Sequence, residues 1–393
     1  MRWGPAISRE PFIRSHSPDP GKAPAMDRPE FVSVIIPVRG WSPTLDVTLE
    51  RLLSDPFQPK ELIVVVDEPN GEAEAARQRL EPMGVRFLVN ERRLGKAESL
   101  NRAVPLARGD VLLFLDADVL IPKGGMLGEV VEAMDGVDLL EIEKDVFGGA
   151  LLQRMVRYEY LEAAAISQAF SVLAGGCPAI NGAAFAIRRG AFERLGGFAR
   201  ALSEDFELCT RAMMAGARFK HLSSVVVKTA APEDLRKWWE QRKRWGVGLG
   251  EWMRANLKSL LRHAIACPRM LLASLSVAMP LMAYALFVNI LLERWPDVAV
   301  ELMIMALSTK LISHLDLPPF FASLLARALL AMVASYAILL APFFAISRKL
   351  GFDFNPIEFA LFIFIYQPIS LLVLAFWAAV GLLGIRPKMD WVV

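Results

Sequence analysis

Cysteine and histidine are scarce in this chain of 393 residues, which holds three cysteines and four histidines. The cysteines, Cys177, Cys209 and Cys267, are too widely spaced for a disulfide framework or a zinc knuckle. The histidines are equally scattered, which argues against a metal site built on imidazole. The net charge of +2 gives no global sign of a nucleic-acid partner, and none is predicted.

The first thirty residues have no apolar stretch of signal-peptide length. They are rich in proline, serine and charged residues, so we predict a disordered extension over residues 1–30. Met26 lies just before the first apolar run, and it is a candidate translation start beside Met1.

Hydrophobic residues make up 54% of the chain and are concentrated in its last third. We predict a transmembrane region over 269–386, followed by a tail over 387–393. Basic residues predominate just before this region, which favours a cytoplasmic position for the preceding part of the chain. Three apolar runs are long enough to span a bilayer, and a fourth is shorter and carries charge, so three or four helices are expected: 270–292, 320–347, 357–384 and the shorter 298–314.

Short β-branched runs alternate with helical spacings over residues 31–231. This alternation predicts an α/β domain with a doubly wound, mostly parallel sheet flanked by helices. Ligands of such sheets bind beyond the carboxyl ends of the strands. The predicted strands are Phe31–Val38, Glu61–Val66, Val85–Val89 and Val111–Leu115, and the predicted helices are Pro43–Leu53, Glu72–Leu80 and Lys96–Ala107.

Two carboxylates, Asp116 and Asp118, follow the strand Val111–Leu115 directly. Strand side chains alternate between faces, so these two point the same way and repel each other unless a cation lies between them. A hard divalent ion prefers such oxygen ligands and also binds a diphosphate. The alternative is a solvated turn at the end of the strand, where aspartate is common.

Four more polar residues lie at the ends of predicted elements. Asp67 ends its strand. Its carboxylate could accept a hydrogen bond from an N–H group of a nucleotide base, or the residue could simply form a turn. Lys96 begins a helix, where its ammonium could bind a phosphate group, or could simply be solvated. Glu204 and Asp205 open a helix after Ser203, either as first-turn acids that complement the helix dipole or as the source of a general base.

The segment 232–268 carries Trp238, Trp245 and Trp252 at intervals of seven residues, on one helical face among basic residues. This pattern predicts an amphipathic segment at the membrane surface. Gln241 and Arg244 lie within one turn of Trp245, and an arginine there suits a leaving diphosphate. Anchoring by tryptophan and arginine alone is the alternative.

Taken in order, seven stretches resemble the family 2 glycosyltransferases with a GT-A fold. The resemblance covers about residues 31–250. It is closest to the Gln-x-x-Arg-Trp subgroup, which includes hyaluronan- and cellulose-synthase-like enzymes and ceramide glucosyltransferase-like enzymes. The stretches are VSVIIPV, VVVDEPN, LGKAESLN, FLDADV, NGAAFAIRR, LSEDFE and QRKRW.

The resemblance implies a role for each matching residue. Asp118 would bind a divalent cation, Mg²⁺ or Mn²⁺, and Asp205 would be the base. The donor site would use four residues, Asp67, Lys96, Asp116 and Arg244. The acceptor site would use five, Asn181, Gly182, Glu204, Gln241 and Trp245.

These roles predict an inverting glycosyltransferase of the cell membrane, multi-pass, with its catalytic domain in the cytoplasm. The donor would be a nucleotide-sugar, UDP-sugar by resemblance, and the acceptor a membrane lipid or lipid-linked saccharide. The alternative is a processive polysaccharide synthase that exports its glycan, which a dimer could accomplish by forming a channel. Processive export is disfavoured because apolar helices are few and none precedes the domain, and Glu68 stands where many relatives have a second aspartate. A third hypothesis, an inactive membrane or transport protein, predicts lesions in the carboxylate set.

Overall fold

The computed structural model describes residues 30–267, 269–270, 273 and 319–389. Of the predicted extension, residues 1–29 lie outside the described residues. So do the run at 298–314, nearly all of the run at 270–292 and the last four residues of the tail.

Seven strands form one mixed sheet in the order β3-β2-β1-β4-β6-β5-β7. The pairings β1–β2, β2–β3, β1–β4 and β5–β7 are parallel, whereas β6 runs antiparallel to β4 and to β5. In this sheet β6 alone is reversed, so the predicted mostly parallel sheet is confirmed. The strands are β1 Val32–Val38, β2 Lys60–Val66, β3 Val85–Val89, β4 Val111–Leu115, β5 Leu139–Phe147, β6 Ala184–Arg188 and β7 Phe219–Ala230.

Helices cover both faces of the sheet. Successive side chains of β1 enter different cores: Val34 and Ile36 pack with α1 and α4, while Ile35 packs with α3 on the other face. The helices of the domain are α1 Pro43–Leu53, α2 Gly71–Leu80, α3 Lys96–Ala103, α4 Met126–Ala133, α5 Leu151–Ala169, α6 Arg189–Arg194, α7 Glu204–Met214 and α8 Leu235–Ala266.

The first four strands lie where the sequence predicts them, to within a residue. The third predicted helix is shorter than expected: α3 ends at Ala103 and a 3₁₀ turn follows over Val104–Leu106. Pro105 causes this change, because proline has no N–H with which to continue the helix.

The C-terminal part contains α9 (Pro319–Leu350), α10 (Pro356–Leu361) and α11 (Gln367–Leu382). A π-helical stretch, Phe362–Tyr366, joins the last two, and we call Pro356–Leu382 the C-terminal helix. Among the described residues, two segments are long and apolar enough to cross a membrane: Met332–Leu350, of mean hydropathy 1.4, and the C-terminal helix, of mean hydropathy 2.2. The first overlaps the second half of the predicted run at 320–347, and the second matches the predicted run at 357–384 to within two residues.

The C-terminal helix packs closely on α8 through small residues. Gly246 lies against the Trp377 Cβ atom, and Gly250 lies against the backbone of Ala378. Gly381 in turn meets the carbonyl of Val247. Small residues at such spacing let two helix backbones approach each other, so the domain and this apolar helix share one interface.

The three tryptophans spaced seven residues apart in α8 contact protein rather than forming an open aromatic face. Trp238 is buried and donates its indole N–H to the Tyr366 hydroxyl at 2.8 Å. Trp252 donates to the Thr210 hydroxyl at 2.8 Å, and Trp245 stacks on a guanidinium. The exposed apolar residues near the end of α8 are Leu257, Leu261 and Ile265, four residues apart. The membrane-surface segment thus stays a prediction, and it rests on these aliphatic residues instead of the tryptophans.

Candidate active site

The sheet topology gathers the predicted acidic residues at one edge. Asp67 follows β2 and Asp116 follows β4, and both strands flank β1. The reversed strand β6 starts beside the end of β4, where the Asp116 N–H donates to the Ala183 carbonyl at 2.8 Å. Asn181 and Gly182 therefore lie at the same edge as the carboxylates.

Lys96, the first residue of α3, joins two of the predicted acids. Its ammonium lies 2.6 Å from Asp116 Oδ1 and 3.3 Å from Glu204 Oε1. Burial opposes the charge, but the two carboxylates outweigh it and raise the pKa of Lys96. An ammonium has three N–H donors, so one remains for a ligand when two serve these acids. Glu204 thus holds Lys96 and does more than complement a helix dipole.

Asp118 is the acid of this edge whose charge has the least support. Burial, and next the neighbouring charge of Asp116, raise the pKa of the Asp118 carboxyl. The Thr229 hydroxyl reaches Asp118 Oδ2 only at 3.4 Å. Among the described residues no group of three or more His, Cys, Asp or Glu side chains could hold a metal ion. A cation here would therefore take one or two carboxylates and complete its shell with a substrate's phosphates, which is the usual mode for Mg²⁺.

Asp205 has the properties of a general base. Its Oδ2 accepts the Gly182 N–H at 2.9 Å, and its Oδ1 accepts the Phe206 N–H at 2.9 Å. Burial, and next the charge of Glu204, raise the pKa of Asp205 to about 7. A pKa near the working pH is optimal for proton transfer. Ser203, the residue before α7, makes no side-chain cap to that helix.

Gly182 fits against Asp205 because it has no side chain. A Cβ atom at residue 182 would lie 2.5 Å from Asp205 Oδ2 and 2.7 Å from its Cβ. We expect Gly182→Ala to displace the carboxylate and lower the turnover number on the order of 100-fold, as misplacement by about 1 Å can. Steady-state kinetics of sugar transfer check this. Gly124→Ala is the control, because nothing lies within 4 Å of a Cβ there; equal losses in both variants would contradict the prediction.

Asn181 is held by residues that the sequence did not single out. Its N–H donates to Glu141 Oε1 at 3.0 Å, and its side chain accepts the Ala183 N–H at 3.1 Å. Tyr160 of α5 is hydrogen-bonded to the Asn181 side chain, and its pKa rises to about 12, chiefly because it is buried. The negative charge of Asp118, the candidate metal ligand, also raises the pKa of Tyr160. The signals available were a tyrosine in a run with helical spacing, RMVRYEYLEAAA, and a glutamate in the charged strand LLEIEKDVF, and neither run belongs to a quoted motif.

Asp67 is largely occupied by protein donors. Its Oδ1 accepts the Leu94 N–H at 2.7 Å and the Asn90 amide at 3.1 Å, and its Oδ2 accepts the Gly95 N–H at 2.9 Å. The carboxylate therefore fixes the loop that leads to Lys96. An ionised carboxylate has about four acceptor positions, so one remains for a nucleotide base.

Gln241 and Arg244 line a cavity of about 500 Å³. The cavity also borders Ala230, whose neighbour Thr229 contacts Asp118, so it lies next to the acidic edge. Gly248 of α8 packs on Ser203, directly before Glu204 and Asp205. The structure thus brings α8 to the predicted base and metal ligand. Trp245 does not line this cavity but stacks on Arg242, with its ring centroid 4.6 Å from the guanidinium. The full lining is Ala230, Ala231, Pro232, Glu233, Lys237, Glu240, Gln241, Arg244 and Met389.

Comparison with known proteins places this site in a family. A probable glycosyltransferase of Bacillus subtilis, YdaM, is 30% identical over 166 residues, which are 39% of this chain and 38% of that protein. The poly-beta-1,6-N-acetyl-D-glucosamine synthase of Staphylococcus aureus is 22% identical over 233 residues, 57% of this chain and 55% of that enzyme. The chain thus spans only about four to six tenths of the length of these relatives.

Among solved structures, the mannosyltransferase PcManGT of Pyrobaculum calidifontis, determined with GDP-Man and Mn²⁺, is 24% identical. The match covers 77% of this chain and 86% of that one, with a TM-score of 0.49. The sequence model described as "Glycosyltransferase like family 2" matches residues 29–248, more than half of the chain. The resemblance stated from the sequence motifs is therefore confirmed, and this protein belongs to glycosyltransferase family 2.

Proposed function

We propose that the protein is an inverting membrane glycosyltransferase that moves a sugar from a nucleotide-sugar, with UDP as the favoured nucleotide, to a membrane lipid or lipid-linked saccharide. The observation that carries the proposal is the cluster at the sheet edge. There, Lys96 contacts Asp116 and Glu204, and Asp205 has a pKa of about 7. The intact carboxylate set also argues against an inactive membrane or transport protein.

In this proposal each polar residue of the edge has one task. Asp205 takes the proton from the acceptor hydroxyl as its oxygen attacks the anomeric carbon, and the bond from that carbon to the diphosphate oxygen breaks with inversion. Lys96 and Arg244 donate to the leaving nucleoside diphosphate. Asp67 and Asp116 orient the nucleoside, while Asn181, Gly182, Glu204, Gln241 and Trp245 border the acceptor.

Asp118 suits the divalent cation, Mg²⁺ or Mn²⁺, because it is accessible and its charge is poorly supported by the protein. Such a cation neutralises the charge that develops on the leaving diphosphate. Asp116 is less available to it, since Lys96 holds one of its oxygens at 2.6 Å.

A membrane location is supported by the two apolar helices and by the basic surface of α8. Arg254, Lys258 and Arg262 are exposed near the apolar residues Leu261 and Ile265. Basic residues next to spanning helices favour the cytoplasmic side. We therefore place the catalytic domain at the cytoplasmic face of the cell membrane, in a multi-pass protein.

The acceptor is tested by giving the purified full-length protein, in bilayers of native lipid with Mn²⁺, radiolabelled UDP-sugars. We expect the label to enter the organic phase and to migrate as a glycolipid on thin-layer chromatography, because the C-terminal helix brings the site to lipid. Asp205→Asn is the matched control. Absence of transfer from UDP-, GDP- and TDP-sugars, with the control indistinguishable from the wild type, would contradict the proposal.

A processive polysaccharide synthase is the second candidate, and the similarity to the Staphylococcus aureus polymer synthase favours it. The same assay separates the two. A high-mass, glycosidase-sensitive product that stays at the origin would identify a synthase, and it would replace the lipid acceptor by a growing glycan.

A further inference from the structure

Arg242 lies between Gln241 and Arg244 in the sequence, yet it does not line the cavity that they share. Its side chain is completely buried, with 0% exposure. The guanidinium lies between two indole rings, 5.1 Å from the centroid of Trp238 and 4.6 Å from that of Trp245. Burying a charged group costs free energy unless it is paired and hydrogen-bonded, so the partners of Arg242 explain its position.

The guanidinium joins three helices through its N–H groups. Nε donates to the Ser370 hydroxyl at 3.2 Å, and Nη2 donates to the Tyr366 hydroxyl at 2.8 Å. Both acceptors lie on the C-terminal helix. The same Nη2 atom also forms an ion pair with Glu159 of α5. Ser370 in turn donates to the other oxygen of Glu159 at 2.7 Å, which closes the network.

The same guanidinium fixes two residues of the Gln-x-x-Arg-Trp motif. Nη1 of Arg242 donates to Gln241 Oε1 at 2.6 Å. This bond sets the orientation of the Gln241 amide, so that its NH₂ group remains as a donor for a ligand. The flat face of the guanidinium supports the ring of Trp245. A lysine cannot do both, because it has no planar fork.

We propose that Arg242 is a positioning residue for sugar transfer: anchored by Glu159 and the C-terminal helix, it holds Gln241 and Trp245 in place for the acceptor. This inference rests on the proposed function. It makes the apolar C-terminal helix part of the acceptor site and not only a membrane anchor. Three residues of the donor side, Asp67, Lys96 and Asp118, have hydrogen-bond or ion-pair partners outside this network.

The test compares Arg242→Met, Arg242→Lys and the double variant Arg242→Met/Glu159→Gln in the full-length protein. Arg242→Met leaves Glu159 buried without its counter-charge, so we expect it to lower the melting temperature. The double variant removes both charges and is expected to regain stability. It should not regain transfer, because Gln241 and Trp245 still lack their support.

Three quantities are measured for each variant: the melting temperature, the affinity for UDP by calorimetry, and kcat and acceptor KM for transfer. In the stable double variant we expect kcat over acceptor KM to fall by about tenfold or more, with UDP affinity unchanged. Arg242→Lys should show the same loss, since it keeps the charge but not the fork. Arg236→Met, at an exposed position of α8 outside the cavity, is the control.

The outcomes separate the inference from the proposed function. A double variant that regains both stability and wild-type transfer would show that Arg242 only stabilises the fold, and would overturn the inference alone. A loss of UDP affinity as large as the loss of transfer would also overturn the inference, because the whole site would then have moved. A wild-type protein that transfers no sugar would overturn the proposed function and the inference together.

Discussion

Asp205→Asn is expected to lower the turnover number by about 10²–10⁴-fold, the range that a positioned general base contributes. The substitution removes the proton acceptor but keeps an oxygen that can accept the Gly182 N–H. The side chain also keeps its size, so the start of α7 should not move. Single-turnover kinetics with saturating donor isolate the chemical step, and calorimetry with UDP should give the wild-type affinity.

The pH dependence of the wild type supplies an independent check. Because burial and Glu204 raise the pKa of Asp205 to about 7, the base form predominates only above that pH. The turnover number should therefore rise about tenfold per pH unit below pH 7 and level off above it. In Asp205→Asn this rise should disappear from the residual rate. Retained turnover, or an unchanged pH profile in the variant, would assign the proton transfer to another group.

The first half of the domain could be predicted because its strands are simple. Val32–Val38 and Val111–Leu115 are buried on both faces, so they form continuous apolar runs that end at charged residues. Their carboxyl ends lie on one edge of the sheet, which is why Asp116 and Asp118 could be assigned to a site from the sequence alone. The tasks of these residues remain proposals.

The second half was harder to predict because its buried strands contain charge. β5 has the sequence LEIEKDVF after its first leucine, and Glu141, Glu143 and Lys144 are buried in it. Lys144 pairs with Glu141, three residues before it in the same strand, and Glu143 lies 3.1 Å from His221 of the neighbouring strand β7. A hydropathy pattern cannot reveal such pairing. The same holds for α8, where the sequence suggests an interfacial face, but Arg242 and Trp238 contact the C-terminal helix and Trp252 contacts α7.

Asp118→Asn is expected to abolish stabilisation by Mn²⁺ and, with it, transfer. If the free Mn²⁺ concentration is about 100 times the Kd of the wild type, binding should stabilise the native state by about 2.7 kcal/mol. This stabilisation is measured as a higher melting temperature. The variant should melt at the same temperature with and without Mn²⁺. Without the metal it should be at least as stable as the wild type, because one of two neighbouring like charges has been removed.

Asp116→Asn is the matched comparison, since it removes the other carboxylate of the pair. Lys96 then keeps Glu204 as a partner, and Asp118 remains available to the cation. We expect this variant to retain much of the stabilisation by Mn²⁺, although it loses a donor contact and therefore activity. EDTA should stop transfer by the wild type, and Mg²⁺ or Mn²⁺ should restore it. Equal responses of the two variants to Mn²⁺ would mean that both acids share the cation, and full stabilisation of Asp118→Asn would place the cation elsewhere.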